Sequence, residues 1–257
     1  MIEKEFQNKI FLVTGGSKGI GRCICLELAK KKAKVIFTYR KQDQSVLSLN
    51  KLIKKNNFKL FGYQIKNLKE NSIKLLVKKI KKIHGDVNFL INNIGDAISR
   101  TKFIKSKDKL WTNSLDINLM SAVRTTRSVL TILNKNKLEA IVNIGSVAGK
   151  TFGQGDSLHY GVAKSALHGF SIGLSKELEK TRVNCVSPNA VNTSFQKRLS
   201  SKKRIKNILN KNKAGRLATP EEVAELTIFL CSTKTSYSNR EVIYLTGGLT
   251  EKAEKIE

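Results

Sequence analysis

Tyr160 and Lys164 stand four residues apart in the run His159-Tyr-Gly-Val-Ala-Lys164. On a helix that spacing puts both side chains on one face, about 6 Å apart along the axis. A free tyrosine titrates near pH ~10, too high to trade protons easily at neutral pH. A neighbouring ammonium favours the phenolate, so Lys164 is expected to lower the Tyr160 pKa and suit it to general acid–base work. Such a pair is common on helices and means little alone; its company gives it weight. Ile141-Val-Asn-Ile-Gly-Ser146 reads as a buried strand ending in a serine, fourteen residues before Tyr160. Asn92-Asn93-Ile94-Gly95 closes an earlier apolar run, and Asn118 sits within a helical segment.

A second group of residues could hold phosphate. The apolar run Ile10–Thr14 leads straight into Gly15-Gly16-Ser17-Lys18-Gly19-Ile20-Gly21 and then into an amphipathic segment. Glycines at such a turn permit close backbone approach, and the helix start offers free N–H groups to a pyrophosphate, so a dinucleotide is the expected ligand. An NAD site places an acid about 20 residues further on, at the end of the second strand. Here that region reads Thr38-Tyr39-Arg40-Lys41, with no acid until Asp43, past the strand. Arg40 and Lys18 would serve a 2′-phosphate, so NADP is the expected cofactor.

These residues need a frame that brings strand ends together. Candidate strands run at 10–14, 34–39, 59–65, 87–92, 140–146, 182–187 and 241–245, with helical patterns at 20–31, 43–56, 68–83, 107–133, 158–180 and 220–232. Strand alternating with helix argues βαβ units and an α/β, doubly wound parallel sheet of seven strands. No Pro/Gly/Ser-rich linker interrupts it, so residues 1–257 read as a single domain. Ligands of such sheets sit at the carboxyl ends of the strands, where Ser146 falls. Residues 197–213 stand apart, with eight Lys/Arg and no acid.

The chain has 257 residues, 40% of them apolar, enough to bury a real core. No apolar run approaches the ~20 residues that span a bilayer, and the first residues lack the pattern of a secretory signal. A soluble, cytoplasmic protein without membrane partners is expected. Four cysteines without a CxxC pair give neither a disulfide framework nor a metal site. The net charge of +28 invites a nucleic-acid reading, but the lysines are spread along the whole chain and come with many asparagines and isoleucines, a compositional bias. A non-catalytic basic nucleic-acid-binding protein would also have no need of Ser146, Tyr160 and Lys164.

The glycine turn, NNxG, Asn118, Ser146 and YxxxK, in this order and spacing, resemble the short-chain dehydrogenase/reductase family from residue 9 to 248. The resemblance implies a Rossmann-type fold with a nicotinamide cofactor, NADPH/NADP+. It implies a cofactor site at Gly15, Ser17, Lys18, Gly19, Ile20, Gly21, Arg40, Asn92 and Thr193, shared with Tyr160 and Lys164. By the same resemblance, Tyr160 donates a proton to a substrate carbonyl oxygen and Lys164 binds the nicotinamide ribose. Ser146 hydrogen-bonds that carbonyl, Asn118 holds a proton-relay water, and Thr193 holds the carboxamide. A homotetramer is implied too, paired through residues 107–133, 158–180 and 220–248.

Three positions depart from the family pattern: Ile94 for alanine, Gln64 where an acid often meets adenine, and Asn189 for glycine after Pro188. His159 is expected at the surface or in loop packing, His84 and His168 in structural roles, and Trp111 in core or interface. The segment of about 193–214 corresponds to the family's substrate loop. Within the family the chain looks most like the 3-oxoacyl-[acyl-carrier-protein] reductases of fatty-acid synthesis, with which it shares Ile144-Gly-Ser-Val147 and Gly215-Arg-Leu217. A basic mouth would suit an acidic acyl carrier, and Lys137 and Lys180 occupy the places of the carrier-docking cations. The other expectation is a sugar-acid or polyol dehydrogenase/reductase of the same family, with Asp96 and Arg100 binding hydroxyls or a carboxylate.

Overall fold

A computed structural model describes residues 5–152 and 155–248. Its strands are β1 (Ile10–Val13), β2 (Lys34–Tyr39), β3 (Leu60–Gln64), β4 (Phe89–Asn92), β5 (Ala140–Ile144), β6 (Arg182–Pro188) and β7 (Val242–Leu245). They form one seven-stranded sheet in the order β3-β2-β1-β4-β5-β6-β7, parallel at every pairing. β4 and β5 are buried along their whole length and β2 along all but its end residues, as expected when helices cover both faces. β3, at the edge, buries Leu60 and exposes Phe61.

The helices are α1 (Gly19–Lys30), α2 (Gln44–Asn56), α3 (Glu70–His84), α4 (Asp108–Leu115), α5 (Ser121–Ile132), α6 (Ala148–Thr151), α7 (Leu158–Glu177), α8 (Ser194–Leu199), α9 (Lys202–Asn210) and α10 (Pro220–Cys231). The pattern at 107–133 suggests one helix. Instead, a π-helical turn, Asp116–Met120, separates α4 from α5 and carries Asn118. The basic segment 197–213 is not open loop either, since it holds the end of α8 and all of α9.

Alternate residues of the central strands feed two cores. Phe11, Val13, Phe37 and Phe89 pack on one face with Ile24, Leu28, Val223 and Ile228, from α1 and α10. The Phe11 and Phe89 rings stack with centroids 4.4 Å apart, and Phe6 meets both edge-on. Leu12, Ile36, Leu90 and Ile141 face the other way, against Ile73, Val77, Ile80 and Val129 of α3 and α5.

The chain order reverses between β1 and β4, so the crevice at their carboxyl ends is the switch point where such sheets bind ligands. Asn93 holds that crevice in shape: its Nδ2 donates to the Thr14 and Gly15 carbonyls, each at 3.0 Å. The shared motif Gly215-Arg216-Leu217 has a structural use. Thr219 and Glu222 form a capping box at the start of α10, with Pro220 at its first position. Arg216 grips Glu222 at 2.6 Å and, with the backbone bonds to the cap, holds its pKa down at about 2.

Candidate active site

The loops beyond the carboxyl ends of β1, β2, β4, β5 and β6 enclose a cavity of about 850 Å³, large enough for a dinucleotide and a small substrate together. Gly15, Ser17, Lys18, Gly19, Ile20 and Arg40 line one end, while Ser146, Tyr160, Lys164 and Thr193 line the wall beneath α8 and α9. Residues scattered over nearly 180 positions of sequence thus meet in one space.

The glycine turn is built for close approach. Gly15 has φ 66°, and a Cβ at Gly21 would lie 2.4 Å from the Gly15 carbonyl oxygen, so side chains are shut out of both positions. No side chain caps α1, and its first turn carries no acid. Its first N–H groups are therefore available to an anion, as a pyrophosphate site requires. The cavity wall also holds a buried donor without a partner among the described residues, Asn189 Nδ2. Cradle, open helix start and orphan amide fit a nicotinamide dinucleotide.

Asn92, expected to bind cofactor, does not line the cavity. Its Nδ2 donates instead to Thr126 Oγ1 and Asn143 Oδ1 inside the sheet. Strand alternation turns the Asn92 side chain inward, so Asn93, Ile94 and Gly95 form the wall there. The charge reading at the β2 end also needs correcting. Asp43 starts α2, accepting from Ser45 N, and this role folds it back into the cavity wall, where it pairs with Lys18 at 2.5 Å. The end that holds Arg40 therefore contains an acid. Gln64 lies outside the cavity, its Nε2 donating to the Arg40 carbonyl.

Ser146 follows β5, and Tyr160 and Lys164 occupy adjacent turns of α7. Lys164 is buried, donates from Nζ to the Ile144 carbonyl at 2.8 Å, and lies 5.9 Å from the Tyr160 ring centroid. Burial pushes its pKa down to about 8. The Tyr160 pKa goes the opposite way from the expectation, up to about 12. Crowding around the hydroxyl penalises the phenolate most, the Asp96 carboxylate adds to the rise, and a hydrogen bond from Ser146 only partly offsets them. Below that value Tyr160 holds its proton and is poised to donate it.

Asn118 is fully buried beside this pair. An added Cβ at Gly95 would sit 2.9 Å from both Asn118 Oδ1 and Lys164 Nζ, so the two groups flank one point. The side chain of Asn118 clamps the Asp96 peptide: Nδ2 donates to the Asp96 carbonyl at 2.7 Å and Oδ1 accepts from Asp96 N at 3.0 Å. A π-turn, a feature frequent at functional sites, gives Asn118 this placement. Thr193 caps α8, and its methyl group packs against Gly19, joining the substrate segment to the glycine turn.

His159 is buried, not at the surface. Its Nε2 lies 3.1 Å from the Ala97 carbonyl, and its ring meets Trp111 edge-on. Its burial packs the loop that carries Asp96. Buried His168 shares a 2.7 Å hydrogen bond with Ser187 Oγ, and burial followed by the Lys164 charge pulls its pKa to about 4.

Four cavity or lip residues were not legible beforehand as one group: Phe195, Arg198, Arg204 and Asp156. Phe195 faces Tyr160 with centroids 6.4 Å apart. Arg198 pairs with Asp96 at 2.5 Å, and Arg204 with Asp156 at 3.3 Å. Asp156 lies in a short loop without periodicity, so only the fold pairs it with an arginine 48 residues away.

Among the described residues no helix is long and apolar enough to cross a membrane. The family described as Enoyl-(Acyl carrier protein) reductase matches residues 15–250. The 3-oxoacyl-[acyl-carrier-protein] reductase FabG of Escherichia coli (strain K12) is 34% identical over 247 residues, covering 95% of this chain and 98% of that protein. FabG of Aquifex aeolicus is 34% identical over 251 residues, covering 96% and 100%. Among solved structures, a short-chain dehydrogenase/reductase of Brucella melitensis described as glucose/ribitol dehydrogenase superposes with a TM-score of 0.87 at 26% identity, covering 96% of this chain and 98% of its own. With the parallel seven-stranded sheet, these likenesses make the chain an oxidoreductase, similar to the FabG reductases, and a member of the short-chain dehydrogenase/reductase family.

Proposed function

We propose that this protein reduces a ketone to a secondary alcohol with NADPH, its substrate a 3-oxoacyl thioester on acyl carrier protein. The observation that carries the reading is the convergence of Ser146, Tyr160 and Lys164 on the cavity that also contains the glycine turn. When bound, the nicotinamide supplies a hydride to the carbonyl carbon. Ser146 then orients the carbonyl oxygen, and Tyr160 Oη gives it a proton. Lys164 binds the ribose and, with Asn118 beside it, replaces the proton that Tyr160 has lost. With its pKa raised to about 12, Tyr160 is in the phenol form at neutral pH, the form that donates the proton in reduction. The substrate class follows the FabG relatives, and the basic segment 197–213 is suited to an acidic carrier. Exposed Ile172 and Phe229, on α7 and α10, support the tetramer that the family implies. NADPH oxidation with acetoacetyl thioesters, beside a panel of keto-sugar acids, tests the reading. Turnover of the thioesters alone sustains it, and turnover of the sugar acids alone replaces it.

A sugar-acid or polyol substrate is the second reading, favoured by Asp96 and Arg100 on the cavity wall and by the description of the Brucella melitensis neighbour.

NADPH is expected to exceed NADH at least tenfold in kcat/KM. Arg40 lies at the cavity rim for a 2′-phosphate, and Lys18 can leave Asp43 for it. Tenfold corresponds to ~1.4 kcal/mol, a modest demand on a charge-assisted pair. Arg40→Asp should shift the preference toward NADH, and equal use of both cofactors by the native enzyme would remove the NADP assignment.

Salt should separate a carrier substrate from a small one. Raising ionic strength from ~0.05 to ~0.5 M shortens the screening length from roughly 14 to 4 Å. Turnover of the carrier-bound ketoacyl group is expected to fall severalfold, while that of a small thioester with neither carrier nor phosphate changes little. Charge reversal at Lys137, Lys180, Arg198 and Lys203 should reproduce the loss for the carrier-bound substrate. Parallel salt curves would remove the carrier from the proposal.

A further inference from the structure

We propose that Arg100 and Arg204, which share the single carboxylate of Asp156 at the cavity lip, form a subsite for an anionic group of the substrate remote from its reacting carbonyl. The proposal rests on the reductase reading above and names the kind of substrate that reading should favour.

Arg100 Nη1 lies 3.0 Å from Asp156 Oδ1, and Arg204 Nη1 lies 3.3 and 3.4 Å from its two oxygens. Among the described residues a single carboxylate faces the two guanidiniums and cannot neutralise both, so these three side chains together carry one net positive charge. The other acid at this lip, Asp96, is taken by Arg198. All three members of the cluster are sheltered, with side chains 22–31% exposed, so water screens the excess charge less than on an open surface. Like charges held together this way cost energy, and Arg204 has its pKa lowered first by burial and then by Arg100. An incoming oxyanion would relieve that repulsion.

The arginines are also held in position. Arg100 Nε donates to the Leu199 carbonyl, tying the loop after β4 to the end of α8. Two residues before it, Ile98 adopts φ 60°, a conformation costly for a β-branched residue, and its N–H donates to Asp96 Oδ1. Arg204 stands in the first turn of α9, whose N-cap is Ser201. Phe195 faces Tyr160, and Arg198, the partner of Asp96, lies 5.9 Å from its ring centroid, so the same cavity wall runs from the tyrosine to the arginines. A substrate with its carbonyl at Tyr160 would run past Phe195 and present its far end to the arginines. Planar guanidiniums bind phosphate and carboxylate oxygens in pairs. The far group is therefore an oxyanion: a phosphate ester of a pantetheine arm or coenzyme A, or the carboxylate of a keto acid.

The test compares substrates within each variant, so that any loss of folding cancels. The first ratio is kcat/KM for acetoacetyl-coenzyme A over the phosphate-free acetoacetyl-N-acetylcysteamine. The second is kcat/KM for a keto-sugar acid over its uncharged ketose. Arg204→Ala should lower one ratio about tenfold, and Asp156→Asn, which frees both guanidiniums, should raise that same ratio. The first ratio moving assigns a phosphate, and the second assigns a carboxylate. Binding of coenzyme A to the NADP+-saturated enzyme, read by calorimetry, follows the phosphate subsite without turnover and should weaken in Arg204→Ala. If the native enzyme binds coenzyme A there but reduces none of these ketones, the reductase reading fails and the subsite stands. Ratios unmoved in both variants, or lowered by both, together with coenzyme A binding indifferent to Arg204, overturn the subsite.

Discussion

Tyr160→Phe is expected to lower kcat by ~10²–10⁴-fold, the range that a positioned general acid contributes. The substitution removes one oxygen and leaves the ring where it packs near Phe195. Dinucleotide binding and thermal stability should therefore persist, because the glycine turn and the start of α1 are untouched. Titrating the dinucleotide by fluorescence and following turnover in the same preparation separates the two effects. The buried phenol, with its pKa raised to about 12, predicts a further property: reduction should not fall off on the alkaline side from ionisation of Tyr160 below about pH 10. Near-native turnover of Tyr160→Phe would show that another group supplies the proton.

Lys164→Met is expected to lose most turnover yet unfold at a higher temperature than the native protein. Lys164 is buried, and its pKa falls from the usual 10.5 to about 8. Below pH 8 the lysine is protonated in both the folded and the unfolded chain, so the folded state bears the full cost of burying its charge. As pH rises from 8 to 10.5 the unfolded chain binds the extra proton, and stability increases. The gap is worth ~3 kcal/mol at neutral pH. Methionine removes that cost but leaves the Ile144 carbonyl without its donor, a loss of ~1 kcal/mol. The balance of about 2 kcal/mol should raise Tm by roughly 4–8 °C at pH 7, with the advantage shrinking toward pH 10. Calorimetric scans of both proteins across that range check the sign. A variant less stable than the native protein at pH 7 would show that the lysine is held for stability rather than for chemistry.

If both results hold, the pocket trades stability for function in a definable way. The lysine is kept charged, or nearly so, where the fold alone would favour an apolar side chain. Its hydrogen bond to the strand that ends at Ser146 fixes the ammonium between the tyrosine and Asn118.

The sequence by itself determined the architecture and the centre of the site. Continuous apolar runs alternating with amphipathic ones admit few arrangements other than a parallel sheet covered on both faces, and each of the seven strands lies within two residues of its expected limits. The i, i+4 spacing of Tyr160 and Lys164, the serine at a strand end and the glycine turn are local properties of the chain, so they survive folding as read. Whatever depended on a side chain's direction or distant neighbours was decided by tertiary structure. Asn92 and Asn93 are identical in type and adjacent, yet the pleat sends one into the sheet and the other to the crevice wall. Asp43 lies beyond the strand in sequence, yet capping α2 turns it back onto Lys18. The Tyr160 pKa rises because burial of the hydroxyl, helped by the Asp96 carboxylate, outweighs the hydrogen bond from Ser146, and burial is a property of the assembled cavity. The ion pairs that fasten the basic segment to the lip, Arg198 to Asp96 and Arg204 to Asp156, join residues 102 and 48 positions apart. Charge alone could not choose those partners; the packing of α8 and α9 over the strand ends did.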